Sequence, residues 1–330
     1  MTGMRIVTVS VLVIVALGAC ADYGEESAAA PVAPVEAGTP SDSSTPDAGL
    51  AADAGIQPEG DAAPGACDPF APWPKPVRVA GLESETTSSF VLSPDETRAY
   101  FARAADDERV KLWTATRANR WDAFSAAKVI DGVNDPSVDN SGLTLSPDGT
   151  LMLFQRTNGF LPIGLFVAKR AAVDAPFATP VSLAEEDFDG QTDGSLDILT
   201  TGAAVYFVRS QENASALYRR PLIGATFGPL EKVGIGKAPA AFGSLVVSSD
   251  ELTIYFGASG DPSDPIGGLD IWRASRPGTA SAFGDAERVA ELDTPTLDVP
   301  TWLSPDGCRL YLASMREGPE TIYVSEKLPR

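Results

Sequence analysis

Five times along this chain an apolar run gives way to Ser-Pro-Asp, or a worn version of it, and then to a second apolar run rich in aromatics. The phrase stands as Phe90-Val91-Leu92-Ser93-Pro94-Asp95 before Tyr100-Phe101, and as Leu143-Thr144-Leu145-Ser146-Pro147-Asp148-Gly149 before Leu153-Phe154. It returns as Leu196-Asp197-Ile198-Leu199-Thr200-Thr201-Gly202 before Tyr206-Phe207, and as Leu245-Val246-Val247-Ser248-Ser249-Asp250 before Tyr255-Phe256. The last copy is Trp302-Leu303-Ser304-Pro305-Asp306-Gly307 before Tyr311-Leu312. Pro presets φ, Asp can bond its own backbone and Gly completes the reversal, so each phrase predicts a β-hairpin.

A third apolar stretch carrying an aromatic follows each hairpin: Leu112-Trp113, Leu165-Phe166, Leu217-Tyr218, Ile271-Trp272 and Ile322-Tyr323. Roughly ten residues later a weaker strand is led by Phe124, Phe177, Phe227 or Phe283. Four antiparallel strands at a period of about fifty residues predict an all-β fold, a five-bladed β-propeller. The fifth repeat reaches Arg330 soon after its third strand, while Phe70 and Pro76 to Leu82 repeat the fourth-strand pattern upstream of the first hairpin. That orphan is expected to complete the last blade and close the ring, which removes an unpaired edge. The propeller should occupy residues 67–330.

The N-terminus reads differently. Arg5, the apolar stretch Ile6 to Leu17 and then Leu17-Gly18-Ala19-Cys20 form a short hydrophobic segment ending in small residues. Residues 1–19 therefore read as a signal peptide. Small residues directly before a cysteine resemble the lipobox of bacterial lipoproteins, and that resemblance implies a lipidated Cys20 and a membrane anchor. Ala21 after it resembles an outer-membrane destination. Residues 20–66 are rich in Ala, Pro, Asp and Gly, with acids and no Lys or Arg. Such a stretch cannot offset its ordering entropy by burying apolar surface, and is expected to be a disordered tether reaching roughly 35–40 Å.

Composition removes several function classes. A formal charge of −20 argues against nucleic acid as a partner. With no histidine, catalysis by Ser-His or Cys-His and His-ligated zinc are excluded.

Ser-Pro-Asp-Gly, an aromatic second strand and Asp270-Ile271-Trp272-Arg273 together resemble the WD-like repeat in the propeller domain of TolB and of many exported bacterial proteins. The resemblance covers nearly all of residues 67–330. It implies a propeller of the cell envelope. TolB, however, has six blades and a preceding α/β domain, so its partner binding does not carry over. In such blades the turn between first and second strands shares a face with the start of the fourth. Cys67, before the orphan strand, and Cys308, after the last turn, are then expected to form a disulfide at the ring seam.

On the opposite face the inter-blade loops gather acids, including Asp139, Asp193 and Asp298, and Arg103, Arg156 and Arg209 each follow a second-strand aromatic by two positions. These form the expected partner or ligand face. The partner is taken to be an envelope protein or glycan, and the chain a monomer. Two sharper readings compete there. Asp187, Asp189 and Asp193 cluster hard oxygens, as calcium requires, but lack the spacing of a full calcium loop, so no cofactor is expected. Asp139, Asp193, Asp197 and Asp298 could supply the paired carboxylates of a glycoside hydrolase. The leading expectation is a non-enzymatic binding or scaffold module.

Overall fold

The computed structural model describes residues 67–68, 71–82, 88–105, 107, 109–159, 161–183, 197–211, 214–223, 226–259 and 268–328. Among these every regular element is a β-strand. β1 is Val77–Arg78, and the first blade follows as β2 Ser88–Leu92, β3 Arg98–Ala104, β4 Val110–Thr116 and β5 Lys128–Val129. The second blade is β6 Asp139–Leu145, β7 Leu151–Asn158, β8 Leu161–Lys169 and β9 Val181–Ser182. The third comprises β10 Asp197–Thr200, β11 Ala204–Gln211, β12 Ala214–Ile223, β13 Thr226–Phe227 and β14 Glu231–Val233. The fourth is β15 Phe242–Val247, β16 Thr253–Ser259, β17 Leu269–Ser275 and β18 Glu287–Arg288. The last blade holds β19 Asp298–Leu303, β20 Arg309–Ser314 and β21 Thr321–Glu326.

Each blade is an antiparallel sheet in chain order, and the last is completed by β1, with Val77 paired to Val324 and Arg78 to Tyr323. The inner strands β2, β6, β10, β15 and β19 pack on one another in turn, and β19 on β2, so the ring is closed. This is the five-bladed propeller that the repeats imply. Second strands lie in the middle of the packing: all of β20 is buried, as are Ala99 to Ala102 of β3. Blades cover both faces of such a strand, which explains a continuous apolar run where a half-exposed sheet would alternate.

Ser and Asp, more than Pro and Gly, build the hairpin turns. Asp95, Asp148, Asp250 and Asp306 each accept a hydrogen bond from the Ser two residues earlier, at 2.5–2.6 Å. Each also accepts from the backbone N–H two residues later, at 2.9–3.2 Å. The serine hydroxyl in turn receives the N–H at the start of the second strand. The fourth copy therefore keeps its turn with Ser249 in place of Pro. The third has lost both Ser and Asp, and Thr201 bonds Ala204 across a shorter turn.

Two features were not legible in the sequence. The pairing slips within β2, β6, β15 and β19, and three of these bulges carry a left-handed residue: Ser89 (φ 56), Gly142 (φ 60) and Ser244 (φ 49). Phe227, expected to lead a fourth strand, sits on β13 and pairs with an extension of β12; the fourth strand is β14.

The joint between last and first blades is tight. Phe124 donates its N–H to Ala80 O at 3.0 Å, and Gly81 beside it holds φ +86. A Cβ there would stand 2.3 Å from Phe124 O, against backbone that cannot step aside. Gly81→Ala is expected to cost ~2 kcal/mol or more, read as a lower melting temperature with the far-UV spectrum retained.

Candidate functional site

The two ends of the ring differ in what they expose. One, the turn face, carries the hairpin turns; the other, the loop face, carries the inter-blade loops. A disulfide joins Cys67 to Cys308 with Cα atoms 5.7 Å apart, directly after the turn at Ser304–Gly307. The chain therefore enters the propeller on the turn face. Cys20 and the rest of residues 1–66 lie outside the described residues.

On the loop face two of the expected acids, Asp298 and Asp139, are engaged by hydrogen bonds and ion pairs. Asp298, fully buried, accepts from Thr294 N at 2.7 Å and Thr294 Oγ1 at 2.6 Å, and pairs with Arg316 at 2.8 Å. Asp139 accepts from Val110 N at 3.0 Å and faces Arg109 at 3.7 Å. Each opens an inner strand and ties it to a neighbouring loop. Asp197 likewise opens β10, in register with Val208. Asp187, Asp189 and Asp193 lie outside the described residues.

The three arginines repeat one device. Arg103 lies 4.0 Å from the ring centroid of Trp113, Arg156 4.2 Å from Phe166, and Arg209 5.0 Å from Tyr218. A guanidinium stacked on a third-strand ring braces second strand to third. Arg156 also donates to Val133 O at 2.9 Å, tying the blade to the loop that leads into it.

One loop-face pairing has no signature in the sequence. Arg288 lies between two acids, 3.0 Å from Asp270 and 2.6 Å from Asp293. Burial and the charge of Asp270 push the Asp293 carboxyl up to about 6, against the pull of Arg288. The Asp of Asp-Ile-Trp-Arg is thus an internal ion-pair partner.

On the turn face, the seams between blades hold buried charge. Glu96 (φ 59) and Glu251 (φ 62) take the left-handed turn position that Gly149 and Gly307 occupy in other blades. Glu251 accepts from Tyr206 Oη at 2.7 Å, Arg219 Nε at 2.8 Å and Thr201 Oγ1 at 3.1 Å, with Arg276 3.7 Å away. Glu96 likewise accepts from Tyr311 Oη at 2.5 Å and Arg309 Nε at 2.5 Å, with Arg117 3.7 Å away. A buried carboxylate shared by a tyrosine and two arginines pins one blade to the next. Burial and the neighbouring carboxylate Glu251 push the Tyr206 hydroxyl up to about 12, so it stays a donor.

Among the described residues, clefts open between blades on this face at two of the seams. One, of about 320 Å³, lies where the last blade meets the first and is lined by Lys75, Arg78, Arg120, Trp121 and Glu326 among others. Trp121 is 71% exposed, with Arg120 stacked 4.3 Å from its ring centroid and paired to Glu326 at 3.4 Å. Cations and a bare indole set this patch apart in a chain of net charge −20. The other cleft, of about 360 Å³, lies between the fourth and fifth blades. Both escaped the sequence, because turn residues read as scaffold give no sign that adjacent blades leave a gap.

No protein-family model matches this sequence, and neither does any curated protein. Among solved structures, TolB from Acinetobacter baumannii aligns at 14% identity over 81% of this chain, with a TM-score of 0.46. The chain spans 64% of that TolB. An α-L-arabinofuranosidase from Podospora anserina aligns at 9% identity over 80% of this chain and 99% of its own, with a TM-score of 0.50. The catalytic domain of a Coprinopsis cinerea α-L-arabinofuranosidase gives 9% identity, 78% and 96% coverage, and a TM-score of 0.47. At such identities the likeness is one of fold, and the chain is an all-β, five-bladed propeller.

Proposed function

We propose that this protein is an exported, lipid-anchored propeller of the cell envelope that acts as a non-enzymatic binding or scaffold module for a protein or glycan. The observation that carries this reading is the state of the loop-face carboxylates. A glycosidase needs two carboxyl groups about 5–10 Å apart and open to substrate. Asp298 is buried under Thr294 and Arg316, and Asp139 is engaged by Val110 and Arg109. The disulfide supports an oxidising, exported compartment. Entry of the chain at Cys67 supports an orientation in which the turn face looks toward the anchor at Cys20 and the loop face looks away.

The test uses purified protein on a panel of arabinan, xylan and peptidoglycan fragments. No turnover is expected, either of wild-type protein or of Asp193→Asn and Asp197→Asn. Hydrolysis abolished by Asp197→Asn would replace this reading with a carboxylate-based glycoside hydrolase of the same fold.

A further inference from the structure

The cleft between the fourth and fifth blades makes sense when the seams are compared with one another. Where Glu96 and Glu251 stand, a turn carboxylate fills a receptor made of a second-strand Tyr hydroxyl and flanking arginines. Between the first and second blades the turn residue is Gly149, and Arg170 closes the space by donating to Tyr100 Oη at 3.0 Å and to Gly149 O at 2.6 Å. A Cβ on Gly149 would meet that guanidinium at 3.2 Å. Between the second and third blades Leu153 stands in the tyrosine position, and no such receptor is built.

The seam between the fourth and fifth blades repeats the tyrosine–arginine pair and omits the turn carboxylate. Tyr255 and Arg273 pair across β16 and β17 just as Tyr206 and Arg219 pair across β11 and β12. Arg273 holds Glu287 through Nε and Nη2, where Arg219 holds Glu231 through Nη1 and keeps Nε for Glu251, so an incoming carboxylate shares or replaces the Glu287 contact. In the place of Glu251 stands Gly307, where an added Cβ would meet nothing within 4 Å. Tyr255, Arg273 and Gly307 line one cleft of about 360 Å³.

Lys327 takes the place of Arg276: its N–H bonds Cys308 O as that of Arg276 bonds Leu252 O. Its ammonium lies over Trp73, 4.1 Å from the ring centroid. Burial first, and then the positive charge of Arg273, pull Lys327 down to about 8, against the carboxylates of Asp68 and Glu291. Two acids also line the cleft, Asp250 and Asp306, each bonded into its own hairpin turn.

We propose that this cleft is a carboxylate-binding site, in which Tyr255 and Arg273 receive from outside the carboxylate that Glu96 and Glu251 supply internally at two other seams. The ligand class is a carboxylate on a short aliphatic arm, the length of a glutamate side chain. The site lies on the turn face and does not rest on the function proposed for the loop face.

The experiment titrates the full-length protein with propionate, with the tripeptide acetyl-Ala-Glu-Ala-amide and with propionamide, at constant ionic strength, by saturation-transfer NMR. Saturable binding of propionate or the tripeptide, and none of propionamide, is expected. The tighter of the two distinguishes a free acid from an acidic side chain. Gly307→Glu should plug the site, weakening binding at least tenfold while raising the melting temperature above that of Gly307→Gln. Arg273→Gln should weaken binding at least tenfold by the other route. The proposal is overturned if wild-type protein binds neither carboxylate, if propionamide competes equally, or if Gly307→Glu and Gly307→Gln melt alike and bind propionate as wild type does.

Discussion

Glu251→Ala is expected to destabilise the propeller by ~3–5 kcal/mol, the range for removing one partner of a buried ion cluster. The loss follows from what is left behind. Arg276 and Arg219 have side chains only 1% and 15% exposed and lose the carboxylate they share, while Tyr206 and Thr201 lose their acceptor. Glu251→Gly should cost about 1 kcal/mol less than Glu251→Ala, because glycine relieves the left-handed backbone at φ 62.

Acid should erase the difference. Burial alone would raise the Glu251 carboxyl, but the hydrogen bonds from Arg219 and Tyr206 and the charge of Arg219 outweigh it and hold the group below its usual value. Such a group contributes stability that is complete above its unfolded pKa, about 4.3, and disappears as pH falls through the lower folded value. Urea melts of wild type and Glu251→Ala should therefore be well separated at pH 7 and converge below about pH 4. A gap that persists undiminished at pH 2 would show that packing, not the charge, is what the substitution removes.

The fold was legible to the extent that it is written in repeats. Ser-x-Asp fixes the turns, unbroken apolar runs mark strands buried on both faces, and the orphan Pro76 to Leu82 marks the closing strand. The seams were not legible, because they depend on which side chains meet across blades far apart in sequence. Glu96 reaches Arg309 and Tyr311 more than two hundred positions away, and nothing local distinguishes it from any polar turn residue. The surroundings of the loop-face acids were hidden for a related reason. Their positions were readable, but whether each faced solvent or was capped by a loop was not, as Asp298 under Thr294 and Arg316 shows.

The second large effect belongs to the seam itself. Replacing Cys67 and Cys308 together by Ala should cost ~3 kcal/mol and lower the melting temperature by ~10 °C. The bridge spans 241 positions, so by the chain-entropy argument its removal frees nearly the whole folded chain in the unfolded state. Because it clamps the segment leading to β1 onto the fifth blade, amide protection should fall first in residues 71–82 and in β21. Dithiothreitol should lower the melting temperature of wild type and leave the double variant unchanged. Equal melting of the two proteins under oxidising conditions would mean that strand pairing alone holds the seam.

All of this depends on a ring closed by its own N-terminal segment, with the chain entering on the turn face. Peptide mapping of the protein, denatured and alkylated without reductant, tests that closure most directly. The expected result is one linked pair of peptides carrying Cys67 and Cys308; recovery of both cysteines alkylated, or of either one joined to Cys20, would contradict it.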